Sequence, residues 1–126
     1  MANELILIVE DNEHNQKLAS DVLQFNGYRV LVAPTAEEGI PMALTEKPDL
    51  VLMDIHLPGM NGIEALAKLR ADPGTKAIPV FAFTASVMPQ DRREITSAGF
   101  DGFLSKPIDL KEFLATINTK MAGKKP

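Results

Sequence analysis

The amino-acid sequence predicts an α/β domain: a five-stranded parallel sheet in the order 2-1-3-4-5, with helices on both faces. Three observations lead there. Five short apolar runs alternate with longer segments of helical periodicity. The runs are continuously apolar rather than alternating, as strands covered on both faces are, and such strands are usually parallel. Strand–helix alternation repeated along the whole chain builds a doubly wound sandwich.

The first strand is Leu5 to Glu10, "LILIVE". The helix after it covers His14 to Phe25, with Leu18, Val22 and Phe25 on one stripe and Gly27 as its stop. Tyr28 to Ala33, "YRVLVA", is the second strand. Thr35 caps a second helix reaching Glu46, but Pro41 inside it lacks a donor for the carbonyl four residues back, which predicts a kink or a late start. Leu50 to Asp54 is the third strand, and Ile63 to Leu69 the third helix, with Ile63, Leu66 and Leu69 on one face. Val80 to Thr84, "VFAFT", is the fourth strand. A mostly polar fourth helix follows over Pro89 to Ala98, with Ile95 as its main anchor. Phe103 to Ser105 is a weaker fifth strand. Asp109 caps the last helix, whose apolar stripe is Leu110, Phe113, Leu114, Ile117 and Met121. The strand order is the flavodoxin-like one, and its ligand site lies beyond the carboxyl ends of the strands, where the order reverses.

A chain of 126 residues fits one domain over 1–126, with a core from about residue 4 to 121 and a tail at 122–126. Hydrophobic residues make up 45% and charged residues 24%, the balance of a chain that buries a core. There is no cysteine, which suits a reducing cytoplasm. The start, "MANELILIVE", lacks a basic segment before its apolar run, and no stretch is long enough to span a bilayer. A net charge of −4 argues against nucleic acid as a general partner. No Walker sequence or dinucleotide fingerprint is present.

The chemistry gathers at the strand ends. Strand one closes on Glu10-Asp11, strand three on Asp54, strand four on Thr84, and Lys106-Pro107 follows strand five. Like charges about 4 Å apart repel by roughly 4 kcal/mol at an effective dielectric of about 20, so three carboxylates brought together call for a cation or raised pKa values. Oxygen-only ligands suit magnesium. With Lys106 as a second cation and the Thr84 hydroxyl as a donor, the set matches the oxygens of a phosphoryl group. Asp54, alone at the end of the central strand, is then the candidate nucleophile. His14, early in a helix, is expected to be exposed.

The blocks "ILIVEDNEHNQKL", "PDLVLMDIHLPGMNG", "FTAS" and "SKP", in this order and spacing, resemble the signature of a response-regulator receiver domain. The resemblance runs from Leu5 to about Met121, and extends to stand-alone regulators of the DivK type and to receivers attached to hybrid kinases. It implies that Asp54 accepts phosphate from a sensor histidine kinase or a histidine phosphotransfer protein. Magnesium would be held by Glu10, Asp11, Asp54 and the backbone carbonyl of His56. Thr84 and Lys106 would take phosphoryl oxygens, Lys106-Pro107 would be a cis peptide, and Gly62 would serve the tight turn near the metal loop. Thr84 and Phe103 would switch a protein-docking face made by the fourth helix, fifth strand and last helix. Phe103 stands where many relatives carry tyrosine, and His56 and Ser86 occupy positions that tune dephosphorylation. The implied protein is a cytoplasmic signalling domain rather than a turnover enzyme, without nucleic acid or membrane as partner. Two rivals remain at this point. A magnesium-dependent aspartyl phosphohydrolase wants a second aspartate where His56 stands. A phosphate-independent interaction module has no need of the intact polar set.

Overall fold

Leu5–Val9 is buried along its whole length, which a strand achieves only when flanked by other strands and covered on both faces. In the computed structural model, which describes residues 4–84, 89–106 and 108–124, it is β1. The elements follow as α1 (Glu13–Phe25), β2 (Arg29–Ala33), α2 (Ala36–Glu46), β3 (Leu50–Asp54), α3 (Gly62–Ala71), β4 (Val80–Thr84), α4 (Pro89–Ala98), β5 (Gly102–Ser105) and α5 (Leu110–Lys124). The sheet is parallel throughout, ordered β2-β1-β3-β4-β5 as the sequence predicts.

Strand periodicity divides the core into two layers. Ile6 and Ile8, Leu50 and Leu52, and Phe81 and Phe83 pack with Ala19 and Leu23 of α1 and Phe113, Ile117 and Met121 of α5. Their neighbours of opposite parity, Leu7, Val9, Val51, Met53 and Val80, pack with Ala36 and Ala43 of α2 and Ala65, Leu66 and Leu69 of α3. Ala82, Ile55 and Ile95 form a smaller group, joined by the half-buried Phe103.

Several details depart from the sequence reading. β1 ends at Val9, although Glu10 N still donates to Ala33 O at 3.0 Å. β2 starts at Arg29, because Tyr28 N turns back to Leu23 O at 3.1 Å. Phe25 is 91% exposed, so it is not part of the α1 stripe. The buried line runs through Ala19 and Leu23, one turn apart, and Phe25 lies about 200° around from Leu23 at 3.6 residues per turn. Leu110, the first residue of α5, is 50% exposed, while Phe113, Ile117 and Met121 hold the core as expected. α2 starts directly after its Thr35 cap and continues through Pro41, whose side chain faces solvent; the late start is not found. Asp109 caps α5, its Oδ1 accepting from Glu112 N at 3.1 Å. The Lys106-Pro107 peptide and Ser86 lie outside the described residues.

Gly39 sets how closely α2 lies on the sheet. A Cβ there would stand 2.8 Å from Cγ2 of Val9, a fully buried side chain with no room to retreat. Helix propensity alone would make Gly39→Ala stabilising by up to about 1 kcal/mol. We expect the opposite, a loss of about 1–3 kcal/mol in urea unfolding, as overpacked cores show; a gain in stability would contradict the close contact.

Candidate functional site

Glu10 and Lys106 continue the rows of side chains that form the α1–α5 layer. In β1 the row is Ile6, Ile8 and then Glu10; in β3 it is Leu50, Leu52 and Asp54; in β5 Leu104 leads to Lys106. At the carboxyl edge of the sheet the apolar rows thus end in two carboxylates and an ammonium. The Asp11 carboxylate joins them: one oxygen from each of Glu10, Asp11 and Asp54 lies within 4.8 Å of the others. Glu10 is fully buried, Asp54 is 4% exposed, and Asp11 faces solvent.

Each buried oxygen has a defined neighbour. Asp54 Oδ2 accepts from Lys106 Nζ at 3.0 Å, and Asp54 Oδ1 accepts from His56 N at 3.0 Å. Glu10 Oε2 accepts from Asn12 N at 3.1 Å, and the Glu10 carbonyl accepts from Gln16 Nε2 at 2.5 Å. Asn12 in turn caps α1, its Oδ1 accepting from Asn15 N at 3.0 Å. Glu10 Oε1 differs from these. It is buried without a hydrogen-bond partner and lies 2.5 Å from the Lys106 ammonium as an ion pair.

Burial pushes Glu10 up to about 7 and the nearby Asp54 charge adds to the rise, while Lys106 and the Asn12 amide pull the other way. For Lys106, burial works against the charged form, but its contacts with Glu10 and Asp54 outweigh that and raise it. An all-oxygen set of three convergent carboxylates, with one buried oxygen lacking a hydrogen bond, fits a hard divalent cation such as magnesium.

The remaining candidates take their places around this centre. Thr84 ends β4, almost fully buried, and its carbonyl accepts from Lys106 N at 2.9 Å. Phe103, on β5, lines a cavity of about 320 Å³ together with Ile95, Thr96 and Phe100. The side chains of His14 and His56 are exposed, and neither belongs to the carboxylate cluster. Sequence reasoning missed three supports. Asn12 and Gln16 fix Glu10, and Glu37 of α2 reaches across to accept from Met60 N in the loop after β3 at 3.2 Å. The first had a visible signal, an asparagine directly ahead of a helix; the third arises from tertiary contact alone.

The chain belongs to the response-regulator receiver domains: the family model described as "Response regulator receiver domain" matches residues 6–118. Members of this family are signalling domains phosphorylated on an aspartate. Among curated proteins it is similar to the polar-differentiation response regulator DivK of Brucella anthropi, 39% identical over 114 residues that cover 90% of this chain and 93% of that protein. DivK of Brucella ovis matches to the same extent. Among solved structures, the receiver domain of a sensor histidine kinase from Pseudomonas aeruginosa, with a magnesium ion in its active-site cleft, superposes with TM-score 0.88 at 30% identity, covering 95% of this chain and 98% of that one. Chemotaxis protein CheY4 of Vibrio cholerae gives TM-score 0.88 at 26% identity, over 94% and 98% of the two chains.

Two predictions follow from the site's geometry. A Cβ at Gly62 would overlap the Asp54 carbonyl oxygen and stand 2.9 Å from Ile55 Cα, both backbone. Gly62→Ala is therefore expected to displace Asp54 and to weaken magnesium binding several-fold in calorimetric titration, with about 1–3 kcal/mol lost from stability. The second concerns pH. Glu10 holds its proton more tightly in the fold than at its ordinary 4.5, so its contribution to metal-free stability is full below about 4.5 and falls as pH rises to about 7. Magnesium competes with that proton. The rise in melting temperature caused by magnesium should therefore be larger at pH 8 than at pH 6, and equal shifts at both would refute the protonated carboxyl.

Proposed function

We propose that Asp54 is the phosphoacceptor of this receiver, supplied by a sensor histidine kinase or a histidine phosphotransfer protein. The observation that carries the reading is the meeting of Glu10, Asp11 and Asp54 with Lys106 at one edge of the sheet. Glu10, Asp11, Asp54 and the backbone carbonyl of His56 would hold magnesium, which when bound neutralises charge on the transferring group. An Asp54 carboxylate oxygen forms the new bond to phosphorus as the bond from phosphorus to the donor's imidazole nitrogen breaks. The electron pair returns to that nitrogen, and an acyl phosphate remains on Asp54.

Lys106 already lies 3.0 Å from Asp54 Oδ2, so its ammonium needs little movement to meet a phosphoryl oxygen. The Thr84 hydroxyl would take another. Thr84 and Phe103 would then change the face made by α4, β5 and α5, where a downstream protein docks. The half-buried Phe103 beside its cavity has space for such a shift without a hydroxyl to anchor it. Among the described residues no helix is long and apolar enough to cross a membrane; the histidine phosphodonor that this reading calls for would place the receiver in the cytoplasm.

Incubation with acetyl phosphate and magnesium, followed by intact mass, tests the acceptor. A single labile phosphoryl adduct is expected, absent from Asp54→Asn and formed on the order of 100-fold more slowly in Lys106→Ala. An adduct that persists in Asp54→Asn would place the acceptor elsewhere.

A further inference from the structure

The Lys106 ammonium has a third neighbour besides its two carboxylates. Nζ stands over the ring of Phe83, 5.0 Å from the centroid, within the roughly 6 Å over which an aromatic face attracts a cation. Strand register accounts for the meeting. Phe83 pairs with Asp54 on one side and with Leu104 on the other, and Lys106 lies two residues beyond Leu104. Ring, carboxylate and ammonium therefore share one face of the sheet. Phe83 is fully buried, and its ring meets Phe113 of α5 with centroids 6.2 Å apart and planes tilted by 43°. Packing on that side holds the ring in place beneath the ammonium.

We propose that Phe83 is a positioning residue for the phosphoryl transfer, its aromatic face holding the Lys106 ammonium against the phosphoryl oxygens. The proposal rests on the reading of Asp54 as phosphoacceptor. In the metal-free protein Lys106 is held by oxygens of Glu10 and Asp54. A divalent cation drawing on those same carboxylates weakens their hold on the lysine. An aromatic ring is no ligand for a hard cation, so its attraction for the ammonium persists when the carboxylates are shared. The plain alternative is that Phe83 only fills the core.

Fluorinated phenylalanines separate the two. Mono-, di- and trifluoro-phenylalanine at position 83 of the full chain progressively weaken the negative face of the ring at nearly constant volume. Adduct formation from acetyl phosphate is measured at saturating magnesium, with magnesium affinity read in parallel. The rate is expected to fall stepwise along the series, on the order of threefold to tenfold in total, with magnesium affinity unchanged. In a Lys106→Met background the residual rate is expected to be flat, and this comparison cancels any effect that packing alone has on the rate. A flat series with Lys106 present, or the same slope without it, overturns the proposal. Asp54→Asn, run alongside, keeps the two readings apart. If it abolishes the adduct, a flat series counts against Phe83 alone; if the adduct survives, the acceptor reading falls and this one with it.

Discussion

The Lys106 ammonium, set between buried Glu10 and nearly buried Asp54, is the contact on which the arrangement of the site depends. Among the described residues the two carboxylates at the end of the apolar strands form their ion pairs with Lys106, and an uncompensated buried charge is strongly destabilising. One ammonium facing three acids neutralises them only in part. Burial pushes Glu10 up to about 7 despite direct contact with Lys106, and the Asp54 charge adds to the rise. A second cation would complete the neutralisation, and under the proposed function the two cations together would stabilise the negative charge of a phosphoryl group.

The period of two along each strand distributes the site's duties between the faces of the sheet. Glu10, Asp54, Phe83 and Lys106 continue the rows packed against α1 and α5. Thr84 has the parity of Ala82, which packs with Ile95 of α4 and with Phe103. A group bound at Asp54 can thus touch both layers at once, Lys106 from one side and Thr84 from the other. No long chain of contacts is needed to carry a change at the sheet edge into either layer.

Much of this was legible in the sequence because strands buried on both faces leave a simple signature. Three central strands were bounded to within one residue: β3 and β4 end on Asp54 and Thr84, and β1 ends one residue before Glu10. The helices were harder, because amphipathic stripes can be drawn through more than one set of apolar residues. In α1 the predicted stripe of Leu18, Val22 and Phe25 held only in part: Ala19 and Leu23 are the buried residues, Val22 packs partly beside them, and Phe25 stands in solvent. Pro41 misled for a different reason. Its missing donor falls on the solvent side of α2, where nothing in the core depends on it. The partners of Glu10 and the tether from Glu37 to Met60 depend on how loops meet in space, which periodicity does not encode.

The two helices of the proposed docking face, α4 and α5, are held very differently. α5 sends Phe113, Ile117 and Met121 into the main core, and Phe113 lies against the ring beneath Lys106. α4 has Ile95 as its buried anchor, with Arg93, Glu94, Thr96 and Ser97 exposed around it and a cavity of about 320 Å³ alongside. Displacing α5 means opening close-packed aromatic contacts, whereas among the described side chains of α4 Ile95 is buried and Ala98 packs partly against the core. A shift of Phe103, which borders the Ile95 group, is therefore resisted weakly on the α4 side and strongly on the α5 side. The fold thus places a close-packed layer under Lys106 and a lightly held helix next to Phe103, the arrangement that the proposed switch would use.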